Sequence, residues 1–309
     1  MGDPVTTLDG PWTLRHVAAN GARFQVAEVG SGPLVLFLHG FPEFWWAWRH
    51  QLLAVADAGF HAVAMDLRGY GGSDKTPRGY DPVTLAADVA GVIRTLGAQD
   101  AVVVGQGWGG YVGWAVAAGQ PTCVRGLVAI SAPHPLEMLR PSQLLRRAPL
   151  VHVMAMQLPW LPERRIMGTD YVARHLAAWS ARGSGFPSAV EAAEYRTALG
   201  RWPSPHCALE YHRWLVRSRL RADGRAFAAM MRSRIGVPVL QLRGHADIVV
   251  SPRAVSRSAR HVEGTHAAVD IGSAGHFPHE EQPGAVTRAL LTWLAAQSGD
   301  AVSGGDRLT

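Results

Sequence analysis

The segment 102–110, VVVGQGWGG, constrains the fold of this chain more than any other stretch. A β-branched apolar run ends at Val104, a glycine-rich turn follows, and a helical segment opens at Gly109-Gly110-Tyr111. A strand that turns sharply into a helix through the pattern G-x-Nuc-x-G is a nucleophile elbow, which presents a reactive side chain at the top of a sheet. In Gly105-Gln106-Gly107-Trp108-Gly109 the nucleophile position is Gly107. The apex of such a turn demands a positive φ, which glycine adopts without steric cost. The turn is therefore expected to form, while its apex has no side chain with which to attack a substrate.

Three further segments put chemistry at strand ends. VLFLHGFPE at 35–43 is a buried strand running into His39-Gly40-Phe41. LQLRGHAD at 240–247 is a strand followed by Asp247, and VDIGSAGHFPHEE at 269–281 is a strand followed by His276. Elbow, then acid, then base is the chain order of the α/β-hydrolases. The carboxylate would orient the imidazole, and His276 would act as the base. The backbone amides of Phe41 and Trp108 are the candidate oxyanion hole. His39, Trp45, Gln106, His152, Tyr211 and His212 are candidates for contacting substrate. His39 heads the oxyanion turn and suits a structural role; His279, Glu280 and Glu281 suit pairing at the rim. Ser131, Cys123 and Cys207 are conceivable replacement nucleophiles, but none sits in an elbow.

HGFPEFWWAWRHQ (39–51), DLRGYGGSDKTPRGYD (66–81) and GHFPHEE (275–281) resemble the epoxide hydrolase branch of the α/β-hydrolases. The resemblance runs over residues 12–297. It implies an α/β-hydrolase fold: a mostly parallel eight-stranded sheet flanked by helices, with an inserted helical cap. In that branch the elbow is usually His-Asp-Trp-Gly-Gly with the aspartate as nucleophile, and two cap tyrosines hold the epoxide oxygen. Here Gln106 and Gly107 stand where the His and Asp would. Tyr211-His212-Arg213 is the nearest match to the late-cap Trp-Tyr-Arg triplet, which puts His212 in the tyrosine position. The stretch 150–158, VHVMAMQLP, where the other tyrosine belongs, contains none.

Strands are expected at 13–17 and 23–29 around an Asn20-Gly21 hairpin turn, and at 34–38, 61–65, 101–104, 125–130, 237–242 and 267–271. Helices are expected at 45–58, 84–96, 252–261 and 284–296. Residues 1–133 and 235–297 are thus two parts of one core, 134–234 a helical cap, and 298–309 a disordered tail. The cap carries 16 arginines and 7 acidic residues, a net +9 in a chain of +6 overall. That asymmetry suits a solvated arginine-rich surface, or attraction of an anionic ligand or surface. No nucleic-acid motif, cofactor motif or metal-ligand spacing is present, and two isolated cysteines suit a reducing compartment. No apolar run approaches the roughly 18 residues of a membrane span, and MGDPVTTLDG is unlike a signal peptide. Cytoplasmic residence is the expectation, with a small-molecule substrate or ligand; a homodimer stays open. Function divides three ways. The first is general-base hydrolysis of a small apolar substrate by His276 and Asp247. The second is a non-catalytic pseudo-hydrolase that binds a ligand or partner. The third is an inactivated variant of an ordinary epoxide hydrolase, which Gln106 speaks against because a knockout would change the nucleophile alone.

Overall fold

The computed structural model describes residues 8–168 and 170–303. Its centre is an eight-stranded sheet in the order β1-β2-β4-β3-β5-β6-β7-β8. The strands are β1 (Thr13–Ala19), β2 (Ala22–Val29), β3 (Leu34–Leu38), β4 (His61–Met65), β5 (Ala101–Gln106), β6 (Val124–Ile130), β7 (Val239–Gly244) and β8 (His266–Ile271). Only β2 runs against its neighbours; all other pairings are parallel. The β1–β2 hairpin turns on Asn20 (φ 46°) and Gly21 (φ 74°), the two positive-φ residues that a type I′ turn needs.

Strands β3 and β5 are buried along their whole length. Near-continuous apolar runs such as LVLFL are what a sheet covered on both faces requires. The covering helices include α1 (Arg49–Asp57), α2 (Pro82–Thr95) and α3 (Trp108–Gly119). Helix α2 starts where Asp81 accepts from the Thr84 amide at 2.9 Å, with Pro82 in the first turn, an N-cap arrangement that satisfies an orphan donor. The expected helix over 45–58 is instead a 3-10 turn, Trp45–Trp48, followed by α1.

Between β6 and β7 the chain is helical: α4 (Pro135–Met138), α5 (Pro141–Leu144), α6 (Arg147–Ala155), α7 (Leu161–Gly168), α8 (Tyr171–Trp179), α9 (Ala189–Leu199), α10 (Ser204–Arg217) and α11 (Ala222–Met230). After β7 come α12 (Pro252–Ser258), α13 (Pro278–Glu281) and α14 (Pro283–Ser303). Helix α14 runs on past residue 297, where a disordered tail was expected. Residues 304–309 of that tail lie outside the described residues. Six parallel strands, β4-β3-β5-β6-β7-β8, thus end at one edge of the sheet, and ligands in open α/β sheets bind at that edge.

Candidate active site

The elbow forms where β5 hands over to α3. Gly107 sits between them at φ 51° and ψ −115°, and its amide donates to the Ile130 carbonyl at 3.0 Å. The flanking glycines are demanded by close approach. A Cβ on Gly105 would lie 2.4 Å from the Gly109 carbonyl carbon, and one on Gly109 would lie 2.1 Å from the Leu38 oxygen. At Gly107 the situation is reversed. The nearest atom to a Cβ there would be His276 Nε2, at 3.7 Å. The apex is therefore open space that faces an imidazole nitrogen.

His276 lies in the loop between β8 and α13. That loop is clamped by Glu281, whose carboxylate accepts the amides of Gly275 (2.8 Å) and Phe277 (3.0 Å) and, across to the inserted helices, of Ala181 (2.7 Å). The His276 amide donates to the Trp179 carbonyl at 2.8 Å. Gln106 donates from Nε2 to the His276 carbonyl at 2.9 Å. Gln106 is thus a buried strut beside the elbow and does not line the cavity. Glu280 pairs with Arg49 at 2.7 Å, and His279 with Glu43 at 3.2 Å; Glu280, His279 and Glu43 are buried and do not line the cavity, so these are interior contacts and not the rim pairs expected.

Asp247 follows β7. Its carboxylate meets His276 Nδ1 at 3.1 and 3.3 Å, and Oδ1 also accepts the amides of Val249 (2.7 Å) and Val250 (2.9 Å). Burial alone would raise the Asp247 pKa, but the imidazole and the two amides outweigh it and hold the value below the usual carboxylate range. An ionised Asp247 keeps the proton on Nδ1 and leaves the Nε2 lone pair facing Gly107. At the other wall, the amides of Phe41 and Trp108 meet no acceptor among the described residues. Trp108 opens α3, where the first N–H groups are free for an anion.

These groups share a cavity of about 80 Å³, room for only a small molecule. Phe41, Gly107, Trp108, His152, His212 and His276 all face it. His152 and His212 thus reach this cavity from the inserted helices. His212 Nδ1 meets the Ala208 carbonyl at 3.2 Å. A carbonyl can only accept, so Nδ1 carries the proton and Nε2 is an acceptor. It takes the Trp108 indole N–H at 3.0 Å, and His152 Nε2 stands 3.1 Å from it. Burial lowers the His212 pKa to about 4 and the His152 value well below the ordinary one. Both rings are neutral near pH 7.

Besides Gln106, three expected substrate contacts are corrected. His39 is fully buried, accepting the Leu67 amide at 3.0 Å and meeting the Gly40 carbonyl at 2.9 Å. Trp45 packs on Trp12 and Phe44 within the core. Tyr211 points away from the cavity and donates to the Arg68 carbonyl at 2.7 Å. One helical position, 100° of rotation, separates Tyr211 from His212, so only one of the two can face the site. Cys123 and Cys207 are buried away from the cavity.

Two residues went unweighed or underweighed in the sequence. Tyr111, one turn beyond the apex, and Ser131, at the end of β6 with φ 49°, both line the cavity. Both hydroxyls are buried without a hydrogen-bond partner. An unmet buried hydroxyl is costly and calls for an explanation; a ligand oxygen would supply one. His175 was also missed. It stacks near His152 and Phe41, 4.9 and 5.3 Å between ring centres. Helical spacing from Tyr171 was its only signal. Among the described residues, no group of His, Cys, Asp or Glu is arranged to hold a metal ion.

Residues 33–283 match the family described as alpha/beta hydrolase fold. The chain belongs to the α/β-hydrolase superfamily. Within it the chain is epoxide hydrolase-like. It is 31% identical over 315 residues to Epoxide hydrolase A of Mycobacterium tuberculosis, covering 92% of this chain and 98% of that protein. It is 32% identical over 293 residues to the AB hydrolase superfamily protein YfhM of Bacillus subtilis, covering 92% and 98%. The solved structure of an epoxide hydrolase from an endophytic Streptomyces superposes with a TM-score of 0.83 at 28% identity, covering 94% of this chain and 97% of that one. No helix among the described residues of this superfamily member is long and apolar enough to cross a membrane.

Proposed function

We propose that this epoxide hydrolase-like chain lacks the elbow nucleophile and hydrolyses a small apolar carbonyl compound, such as a short ester or lactone, by direct attack of water. The observation that carries this reading is the open apex at Gly107, 3.7 Å in Cβ position from His276 Nε2. A water in that space donates a proton to Nε2 while its oxygen adds to the carbonyl carbon. The carbonyl π electrons move onto oxygen, which the Phe41 and Trp108 amides receive. When the tetrahedral adduct collapses, the carbon–oxygen bond to the leaving alkoxide breaks, and His276 returns its proton to that oxygen. Asp247 stabilises the imidazolium throughout. A positioned base contributes about 10² to 10⁴ in rate, and one oxyanion donor about 10² to 10³.

Carbonyl chemistry is favoured over epoxide opening because the inserted helices bring no tyrosine to the cavity: Tyr211 donates to the Arg68 carbonyl, and His212 commits its ring proton to the Ala208 carbonyl. The test is single-turnover hydrolysis of short esters and lactones in ¹⁸O-water with enzyme in excess. Label entering the acid product in the first turnover is expected, with no acyl-enzyme trapped on acid quench: a carboxylate nucleophile would give unlabelled acid, and an acyl-serine would give labelled acid but leave a trapped adduct. His276→Ala should cost about 10² or more. Unlabelled first-turnover product, or an unchanged rate in His276→Ala, overturns the proposal. Ser131 carries a second reading, since its unpartnered Oγ lies in the same cavity. A covalent acyl adduct on Ser131 in the same experiment would select it. Tight binding of a small apolar ligand without turnover would select a pseudo-hydrolase.

A further inference from the structure

Between the short helix α5 and the start of α7, the protein exposes more apolar surface than anywhere else in the described residues. Leu145 is 70% exposed, Val151 61%, Met154 53% and Trp160 79%, with Leu150, Leu158 and Leu161 also exposed. Leu150, Val151 and Met154 share one face of α6, and Trp160 stands at a positive φ of 59° in the turn before α7. An exposed tryptophan among several apolar neighbours is a poor surface for water and marks an interaction site. Beside it lies a groove of about 820 Å³ rimmed by Val151, Ile248, Arg146 and Tyr171. His152 and Trp179 line both this groove and the inner cavity, so the two share a wall.

The charge around this surface is one-sided. From 140 to 182 the chain has 7 arginines and 2 acidic residues. Glu163 is buried against Arg213 at 2.8 Å, and Asp170 lies 3.3 Å from Arg196. Arg164, Arg165 and Arg174 are exposed; Arg165 and Arg174 rim a further groove with Tyr171. We propose that this face docks on an anionic lipid bilayer, with Trp160 and the α6 side chains entering the interface and the arginines meeting lipid phosphates. Apolar tips beside a basic rim are the composition of an interfacial anchor, and each arginine near an anionic surface adds attraction. A second copy of this chain is the poorer occupant, because two such faces would bring arginine against arginine. The outer wall of the site, at His152 and Trp179, would then lie close to the bilayer surface, where apolar substrates concentrate. The docking does not depend on whether His276 turns over substrate.

Co-sedimentation of the full chain with vesicles tests this. Binding is expected to vesicles of equal parts phosphatidylcholine and phosphatidylglycerol at low salt, to weaken at high salt, and to be poor with phosphatidylcholine alone. Val151→Ser with Trp160→Ser, and separately Arg164→Glu with Arg165→Glu, should each lower binding at least about tenfold. Lipids brominated on the tail should quench tryptophan emission in the wild type more than in Trp160→Phe, which keeps the fold and most of the apolar surface. No binding to the anionic vesicles at low salt, full binding by both double variants, or equal quenching in Trp160→Phe overturns the proposal. So does a concentration-dependent dimer in sedimentation velocity that the Val151/Trp160 variant abolishes, because the face would then be a self-association surface.

Discussion

His152 and His212 face each other nitrogen to nitrogen, Nε2 to Nε2 at 3.1 Å, over the cavity that His276 serves. His212 uses its one ring proton within the protein, on the Ala208 carbonyl, and its Nε2 accepts from the Trp108 indole. By resemblance to the epoxide hydrolases, His212 stands where the late-cap tyrosine is expected. It can pack against a substrate but has no spare proton for a developing alkoxide.

It follows that Gly107→Asp with Gln106→His will not restore ordinary epoxide turnover. The Asp side chain has room, since nothing lies closer than 3.7 Å to its Cβ. Its φ of 51° adds strain of about 1–3 kcal/mol. Diol formation from a terminal epoxide should stay weak, and should rise when His152→Tyr and His212→Tyr are added. Full turnover in the first double variant would show that another cap group donates.

Stability should fall as pH drops from about 6.5 toward 4. His212 is lowered by burial to about 4, and His175 and His134 by burial to about 3. The unfolded chain protonates these rings near the ordinary value of about 6.5, while the folded chain keeps them neutral until pH 3–4. Across that window the unfolded state binds more protons, so acid favours unfolding. For His212 the loss is on the order of 3 kcal/mol at about 1.4 kcal/mol per unit. Urea midpoints measured against pH check this, and His212→Gln should flatten the slope. A midpoint that does not change over this range contradicts it.

The unpartnered phenol of Tyr111 makes a separate test. In Tyr111→Phe the folded state sheds an unsatisfied hydroxyl, so stability should hold or rise by up to about 1 kcal/mol. If the phenol holds a substrate oxygen, KM should rise several-fold with kcat little changed. Loss of stability would mean that the hydroxyl already has a partner.

The sheet was legible because its signals are local. Short apolar runs bounded by turn residues, such as VVV at 102–104 and LVLFL at 34–38, suit buried strands and form them. Gly105 and Gly109 marked the elbow because backbone atoms crowd within 2.4 Å of where their Cβ atoms would lie. Asp247 and His276 followed strands, and the fold brings them to 3.1 Å. What resisted was facing. Tyr211 and His212 are neighbours in sequence, yet one serves the core and the other the cavity, and only the packing of α10 decides which. His39 and Trp45 sit beside the oxyanion turn in sequence but point inward, because burying an indole against Phe44 is worth more than lining a small cavity. Tyr111 and Ser131 carried no motif; their role appears only when two separate strand ends meet.

The strongest test of the site geometry is to supply what the apex lacks. In Gly107→Ser the new Oγ would extend from a Cβ 3.7 Å from His276 Nε2, within reach of a hydrogen bond. His276 is already oriented by Asp247, and the Phe41 and Trp108 amides are already free. A serine, a base, its orienting acid and two oxyanion donors are the parts of a covalent acyl-transfer site. Gly107→Ser is expected to react stoichiometrically with a fluorophosphonate at residue 107 and to show burst kinetics with p-nitrophenyl acetate. Wild type should do neither at that position. The His276→Ala background should suppress the burst by about 10² or more. A folded Gly107→Ser variant that resists the fluorophosphonate would mean that the Nε2 lone pair does not address the apex. The general-base reading of the wild type would fall with it.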